Sequence, residues 1–229
     1  MRISIIVPCY NEERLILNTY KSIKKEIEKF TKDYEIIIAN DGSIDNTLEI
    51  IKGIQKKDRK VKILSWKKNR GMGFTHRALY KATQGNIIIE MDADLSIKPT
   101  IFKDFLKYIK DYDVVVASRY AGKKGKIPLY RKIPSRVYFL LVRSLFKIEV
   151  KDISTGFIAF RKKALESLKL YSDKWEIHVE LLSKLNQKNY RIIEIPAHYV
   201  HRAKDEKFNM LIDGPITFFR MLMLKLRMK

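Results

Sequence analysis

The stretch Asn86-Ile-Ile-Ile-Glu-Met-Asp-Ala-Asp94 joins a short apolar run to two aspartates. Residues 87–91 predict a buried strand, because the run is short, rich in β-branched side chains and preceded by the turn signal Gly85-Asn86. Alternate residues of an extended chain point the same way, so Asp92 and Asp94 are expected to face one spot beyond the strand. In open parallel α/β sheets, ligands bind at that edge.

The two carboxylates are hard oxygen ligands of the kind that Mg²⁺ or Mn²⁺ prefers, with room left for substrate phosphates. The alternative for this motif alone is a strand that runs into an acidic, solvated turn. The rest of the chain has to decide between these interpretations.

The first half of the chain alternates apolar runs with helical patterns, which predicts parallel strands joined by helical crossovers. Four further strands are predicted at residues 3–7, 34–39, 61–64 and 114–117. One helix face is predicted by the spacing of Ile16, Tyr20, Ile23, Ile27 and Phe30. Two more helices are predicted from Leu48, Ile51 and Ile54 and, after Pro99, from Phe102, Phe105, Leu106 and Ile109. The fold class is therefore α/β, with a mostly parallel, Rossmann-like nucleotide-binding sheet flanked by helices.

The second half contains segments of a different kind. Residues 120–131 are rich in glycine and lysine and predict a loop. Residues 134–147 predict an apolar helix with a basic stripe of Arg136, Arg143 and Lys147, which either docks on the core or lies in a membrane interface. Residues 208–229 are apolar with scattered lysines and arginines, so a membrane-surface anchor is expected, with a packed terminal helix as the alternative.

The formal net charge of +21 indicates an anionic partner: nucleic acid, a phosphorylated substrate or acidic lipid headgroups. A lysine-rich solvated surface produced by biased composition is the alternative. The single cysteine, Cys9, excludes an internal disulfide and a cysteine-based metal site, and it is expected to be a packed residue. The chain shows no signal-peptide pattern and no uncharged run of 18 residues, so a complete membrane span is not expected.

Three polar loops lie at the same predicted sheet edge as the aspartate pair: two follow predicted strands and the third precedes a helix. They are residues 8–13 (Pro-Cys-Tyr-Asn-Glu-Glu), 40–47 (Asn-Asp-Gly-Ser-Ile-Asp-Asn-Thr) and 69–73 (Asn-Arg-Gly-Met-Gly). Each alone is an ordinary turn, but their joint occurrence in this order indicates a shared ligand site.

In this order the loops resemble family-2 inverting glycosyltransferases of the GT-A fold, and within them the dolichyl- or polyprenyl-phosphate mannose and glucose synthases. The resemblance implies transfer of a hexose from a nucleoside-diphosphate sugar (GDP-mannose or UDP-glucose type) to dolichyl or polyprenyl phosphate, with Mg²⁺ or Mn²⁺. It implies that Asp92 and Asp94 hold the metal. The nucleotide-binding residues that it implies are Pro8, Tyr10, Glu12, Ala39, Asp41, Arg70, Gly71, Asp92 and Ala93.

The second half extends the resemblance. Its motifs are Ala117-Ser-Arg119, residues 152–157 (Asp-Ile-Ser-Thr-Gly-Phe), residues 175–180 (Trp-Glu-Ile-His-Val-Glu) and Glu194-Ile-Pro196. The resemblance implies that Arg119, Arg131 and Ser135 hold the acceptor phosphate, and that Arg202 and Lys207 contact the donor diphosphate. It makes Asp94, Arg119 and Arg131 the catalytic residues.

A phosphate acceptor is largely ionised at neutral pH, because its second pKa is near 6, so it needs positioning by forked arginine donors rather than a base. An acceptor hydroxyl would need a carboxylate, for which Glu180 is the candidate, whereas His178 is expected to be structural. The alternative function is therefore a family-2 glycosyltransferase that adds sugar to a glycan or lipid hydroxyl.

Three more distant alternatives fit less well. A nucleic-acid-binding protein would account for the charge, but the chain lacks a recognition motif, so no nucleic-acid partner is expected. A dinucleotide oxidoreductase would need a third glycine where His76 stands after Gly71 and Gly73. A sugar nucleotidyltransferase would want a glycine-rich first loop, and residues 8–13 contain no glycine.

The chain divides into a nucleotide-sugar-binding half (1–117), an acceptor-binding half of the same domain (118–205) and a basic apolar helix (206–229) that is a possible membrane anchor. The expected location is cytoplasmic and peripheral, on the inner face of an anionic membrane.

Overall fold

The computed structural model describes residues 1–121, 140–153, 155–200 and 210–227. Within these residues, seven strands form one sheet in the order β3-β2-β1-β4-β6-β5-β7. The strands are β1 (Ile3–Cys9), β2 (Tyr34–Asp41), β3 (Val61–Trp66), β4 (Ile87–Glu90), β5 (Val114–Ser118), β6 (Ile158–Arg161) and β7 (Ile192–Pro196).

The sheet is parallel except for one strand. β1 pairs in parallel with β2 and β4, β2 pairs in parallel with β3, and β5 pairs in parallel with β7. β6 lies between β4 and β5 and is antiparallel to both. The α/β class, the five predicted strands and the mostly parallel pairing are confirmed, whereas β6 and β7 were not predicted.

The helices cover both faces of the sheet. They are α1 (Ile16–Ile27), α2 (Thr47–Lys57), α3 (Met72–Ala82), α4 (Phe102–Tyr108), α5 (140–146 of the described chain), α6 (Lys162–Glu166), α7 (Ile177–Gln187) and α8 (Met210–Arg227). Apolar residues of α1, α2 and α4 pack in one core layer, and those of α3, α5, α6, α7 and α8 pack in the other. Because both faces are covered, the central strands are apolar along their length rather than alternating.

The predicted helix at 134–147 is described only from residue 140. It ends at Lys147, whose φ of 54° is in the left-handed region. Val142 and Phe146 are buried in the core, while Leu140 and Leu141 are exposed. α5 therefore docks on the core through one side and leaves apolar side chains on the other.

The C-terminal helix α8, like α5, buries some apolar side chains in the core and exposes others. Met221 and Leu224 are buried in the same core layer as Val142 and Phe146, and the ammonium of Lys225 lies 5.4 Å from the centre of the Phe146 ring. α8 is thus a packed terminal helix, yet it also exposes Ile216, Phe219, Leu222, Met223 and Leu226. Among the described helices, none combines the length and the apolar character that crossing a bilayer requires.

β4 is one residue shorter than predicted. It ends at Glu90, and the aspartate pair follows in a turn instead of an extended chain. Leu95, directly after Asp94, has a φ of 57°. Strand alternation therefore does not orient the two carboxylates, and that part of the prediction is wrong. The pair does lie at the carboxyl edge of the parallel strands, as predicted.

Candidate active site

The carboxyl ends of β1, β2 and β4 bring three polar loops together. Asp41 ends β2 and is buried. Its Oδ1 accepts a hydrogen bond from the backbone N–H of Arg70 (2.7 Å), and its Oδ2 accepts one from Gly71 (3.0 Å). Gly71 has a φ of 96°, which side-chain-bearing residues rarely adopt. Asp41 therefore fixes the loop that carries the predicted nucleotide-binding residues Arg70 and Gly71.

The loop after β1 is tied to the loop after β2. The N–H of Asn11 donates to Ser43 Oγ (2.9 Å), that of Glu12 to Thr47 Oγ1 (2.8 Å), and that of Glu13 to Asp45 Oδ2 (3.1 Å). These bonds hold the backbone on which the predicted nucleotide-binding side chains of the first loop stand. Those residues are Pro8, Tyr10 and Glu12, all half-buried, with the buried Ala39 on the neighbouring strand.

Asp92 and Asp94 act on each other electrostatically. Burial, the charge of Asp94 and the charge of Glu90 together raise the pKa of Asp92 to about 7. Oδ1 of Asp94 accepts the N–H of Ser96 (2.8 Å), and no described residue bonds to its other oxygen. Ala93 between them is buried, and its carbonyl accepts the hydroxyl of Thr19 (2.5 Å).

A glycine makes room for Asp92. A β-carbon on Gly156 would stand 2.5 Å from Oδ1 of Asp92, far inside van der Waals contact. Asp94 helps to raise the pKa of Asp92, and a bound proton or a bound cation would each relieve this like-charge repulsion. The donor set of Asp92 and Asp94 thus fits Mg²⁺ or Mn²⁺.

Arg119 follows β5 and is held by Asp152. Its Nε donates to Oδ2 (2.8 Å) and its Nη2 to Oδ1 (2.6 Å), while its backbone N–H also donates to Oδ2 (2.9 Å). Asp152 is fully buried, and this ion pair raises the pKa of the Arg119 guanidinium despite burial. The positive charge of Arg119 partly opposes the rise in the pKa of Asp92.

A buried cluster directly behind the aspartate pair was not predicted. Nε2 of His178 lies 2.5 Å from Oε1 of Glu90, and Nε2 of His76 lies 3.0 Å from the same oxygen. The hydroxyl of Tyr80 donates to Oε2 (2.6 Å). In the described parts of the chain, His76, Glu90 and His178 are the group of three possible metal-ligating residues, with donor atoms within 4.8 Å of one another. The sequence did contain one indication of this cluster: Glu90 is a charged residue in an otherwise apolar strand, and a buried charge needs partners.

The pKa values of this cluster follow from its charges. Burial would raise the pKa of Glu90, yet the two imidazoles hold it well below its ordinary value. Burial would lower the pKa of His76, yet Glu90 raises it. His178 is thus a buried partner of Glu90, in agreement with the structural role expected for it.

Glu180, the candidate base for a hydroxyl acceptor, is engaged elsewhere. Its oxygens accept the backbone N–H groups of Tyr171 and Ser172 (2.8 to 3.0 Å) and the ammonium of Lys184 (2.5 Å). The side chain is fully buried. A base needs a free oxygen beside the substrate, so this prediction for Glu180 is wrong.

The segment before α7 abuts the start of α3, next to the loop that carries Arg70 and Gly71. The carbonyl of Asp173 accepts the N–H groups of Gly73 (3.0 Å) and Phe74 (3.3 Å), so the first donors of α3 are occupied by protein. Arg77 on α3 also binds the carbonyl of Ser172 and Oδ1 of Asp173. The predicted acceptor and diphosphate residues Arg131, Ser135, Arg202 and Lys207 lie outside the described residues.

Residues 4–169 match the model of glycosyl transferase family 2. The dolichol-phosphate mannosyltransferase of Pyrococcus furiosus is 31% identical over 211 residues, which cover 90% of this chain and 58% of that protein. The chain belongs to glycosyl transferase family 2.

Solved structures support the same fold. A mannosyltransferase from Pyrobaculum calidifontis, in complex with GDP-mannose and Mn²⁺, aligns with a TM-score of 0.65 at 20% identity, over 90% of this chain and 58% of that one. Glucosyl-3-phosphoglycerate synthase from Mycobacterium tuberculosis, with Mn²⁺, UDP and phosphoglyceric acid, aligns with a TM-score of 0.70 at 18% identity, over 98% and 77%. The fold is GT-A, and the chain spans about half the length of the curated relatives it matches.

Proposed function

We propose that this chain transfers a hexose from a nucleoside-diphosphate sugar to a polyprenyl (dolichyl) phosphate. The observation that carries the donor half of the proposal is the aspartate pair, Asp92 and Asp94, beside the Asp41-bound loop at the carboxyl edge of the sheet. The nucleotide sugars bound by the fold neighbours and the lipid-phosphate relative support it.

The roles of the residues follow from their contacts. Asp41 uses one lone pair of each oxygen on the Arg70–Gly71 backbone, which leaves acceptor capacity for a nucleoside N–H or hydroxyl. Asp92 and Asp94 would hold Mg²⁺ or Mn²⁺, which neutralises charge on the departing diphosphate when bound. Gly156 leaves the space that the Asp92 carboxylate occupies.

Arg119 is the described cation best placed for the acceptor phosphate. Asp152 binds two of its N–H donors and so fixes the plane of the guanidinium at the carboxyl end of β5. With Arg131 and Ser135, as the resemblance implies, it would orient an acceptor that is already ionised. Inversion at the sugar then needs no protein base.

One observation favours a hydroxyl acceptor as the second candidate. Glu176, directly before α7, is buried, and its Oε2 has no hydrogen-bond partner among the described residues. A carboxylate with a free oxygen is what a hydroxyl acceptor would require.

An acceptor and donor screen tests the proposal. We expect transfer from GDP-mannose or a UDP-hexose to a short polyprenyl phosphate in the presence of Mn²⁺, and none to the matching polyprenol. Transfer to the polyprenol or to a glycoside, lost on Glu176→Gln, would select the second candidate. No turnover of any nucleotide sugar with any of these acceptors would refute both.

The lipid acceptor also accounts for the apolar surface formed by α5 and α8. Leu140 and Leu141 on α5 and Phe219 and Leu226 on α8 are exposed, although both helices are docked on the core. Arg220, Lys225 and Arg227 on α8 would add attraction to anionic headgroups. We therefore propose a peripheral position on the cytoplasmic face of the membrane.

Replacing Phe219 and Leu226, which are 64% and 63% exposed, with serine is expected to weaken partitioning onto anionic vesicles by about tenfold or more. The reason is that two large apolar side chains no longer enter the interface. Vesicle sedimentation measures it at constant salt. The control is Leu17→Ser, an exposed leucine on α1 across the sheet. Equal partitioning of the double variant and the control would contradict the proposed surface.

A further inference from the structure

The cluster of His76, Glu90 and His178 joins three elements beneath the aspartate pair. Glu90 is the last residue of β4, His76 lies on α3 and His178 lies on α7. All three side chains are almost completely buried. The two imidazole rings stand 5.0 Å apart, edge to face, around one carboxylate oxygen.

One proton of the cluster can be assigned from its acceptor. Nδ1 of His76 lies 2.7 Å from the carbonyl of Met72, which only accepts, so Nδ1 carries a proton. Its Nε2 lies 3.0 Å from Oε1 of Glu90 and makes no hydrogen bond in this geometry, so the contact is one of charge. Nε2 of His178 lies within hydrogen-bond distance of the same oxygen, at 2.5 Å. The hydroxyl of Tyr80 occupies the other oxygen, so the Glu90 carboxylate is fixed from both helices.

The distances within the cluster are those of hydrogen bonds and ion pairs. Zinc bonds of about 2.0 Å place tetrahedral ligand atoms about 3.3 Å apart. The 2.5 Å between His178 and Glu90 is a hydrogen-bond distance, so these two side chains would have to move apart before both could bind one such ion.

The cluster borders on Asp92, two residues beyond Glu90. The charges of His76 and Glu90 both alter the pKa of Asp92, in opposite directions. On another side Asp92 is confined by Gly156. The end of β4 is thus fixed by hydrogen bonds from the cluster at the point where the chain turns toward the carboxylates.

We propose that Glu90, His76 and His178 are positioning residues that hold Asp92 and so set the affinity of the Asp92–Asp94 pair for a divalent cation. This inference rests on the proposed function of that pair. In this proposal His178, which lies on α7 in the acceptor-side half, affects the affinity of the donor-side half for its divalent cation. Partners that orient ligating carboxylates typically change metal affinity by about 10- to 100-fold when replaced.

The test measures the dissociation constant of Mn²⁺ by electron paramagnetic resonance, in the presence of GDP or UDP, together with thermal unfolding. Glu90→Gln and His178→Leu are expected to raise this constant about tenfold or more. His178→Gln keeps an N–H donor near the same position, so we expect it to stay within about threefold of wild type.

The matched control is Glu180→Gln, another fully buried carboxylate, which binds the 171–172 backbone and Lys184 instead of the cluster. It is expected to lower the unfolding temperature without changing Mn²⁺ affinity. Mn²⁺ affinity lost equally in the control would show a general effect of destabilisation and overturn the inference.

The other outcomes separate the two proposals. Mn²⁺ binding that is lost in Asp94→Asn but unchanged in Glu90→Gln and His178→Leu would overturn the positioning role and leave the metal pair intact. Absence of Mn²⁺ binding by the wild-type chain would overturn both. Stoichiometric zinc in the purified protein that disappears in His178→Leu would also overturn the inference. If Glu90→Gln does not fold, equal affinities of His178→Leu and His178→Gln decide against it.

Discussion

Asp94→Ala is expected to reduce sugar transfer by at least about a thousandfold. Divalent cations at such sites contribute several kcal/mol of charge stabilisation, and each 1.36 kcal/mol is about tenfold in rate. The alanine variant removes one of two proposed ligands and leaves Asp92 alone beside Gly156. Because Asp94 is half-buried in a turn and not part of the core, the fold should persist.

A radiolabelled-sugar transfer assay, with Mn²⁺ varied up to saturating levels, measures this loss. Asp111→Ala is the control, because this exposed carboxylate precedes β5, at the amino end of the parallel strands. We expect the control to transfer sugar at the wild-type rate. Turnover of Asp94→Ala above about a tenth of wild type would remove Asp94 from the metal site.

Asp152→Ala is expected to lower the free energy of unfolding by about 3 kcal/mol. Asp152 is completely buried, and the side chain of Arg119 is 21% exposed. Removing the carboxylate leaves a largely buried guanidinium without its two charge-assisted hydrogen bonds. Removing one partner of a buried ion pair costs more than the net value of the pair.

Urea denaturation without metal or nucleotide measures the change. The surface pair of Lys52 and Glu49 is a control, since its side chains are 49% and 71% exposed, and Glu49→Ala should cost less than about 0.5 kcal/mol. Asp152→Asn keeps the shape and removes the charge, so it should fall between the two. A loss below about 1 kcal/mol for Asp152→Ala would show that Arg119 is solvated rather than dependent on Asp152.

The polar edge of the sheet was predictable because the loops with Asp41 and Asp92 directly follow apolar strands and the loop with Gly71 precedes a helix. Asp41, Gly71 and Asp92 could be placed at one edge from strand direction alone. Their mutual contacts were not predictable, because the hydrogen bonds of Asp41 to Arg70 and Gly71 link residues about thirty positions apart. The family resemblance supplied roles for these residues but not the geometry.

The cluster behind the pair was missed for a physical reason. Glu90 and His178 are 88 residues apart in the chain. A single histidine on an apolar helix is usually a satisfied core residue, and nothing local to His178 indicates its partner. The turn at Asp92 and Asp94 was missed because an apolar run shows that a strand exists better than it shows where the strand ends.

Strand β6 was not predicted because a run of four residues is too short to be told from a helix segment or a loop. Its direction could not be predicted either. A short apolar run is compatible with either direction, and here the chain returns antiparallel between β4 and β5. The proposed division at residue 117 therefore separates halves that share one sheet, and it stays a proposal about function.

The position of β6 has a consequence for how the chain folds. β4 has no partner on one side until residues 158–161 insert, so about seventy residues must be synthesised after β4 before its edge is covered. During that interval an apolar edge remains open to pairing with another chain. Completion of the sheet therefore waits for β6. Fragments that stop before β6 are expected to aggregate instead of forming a stable unit.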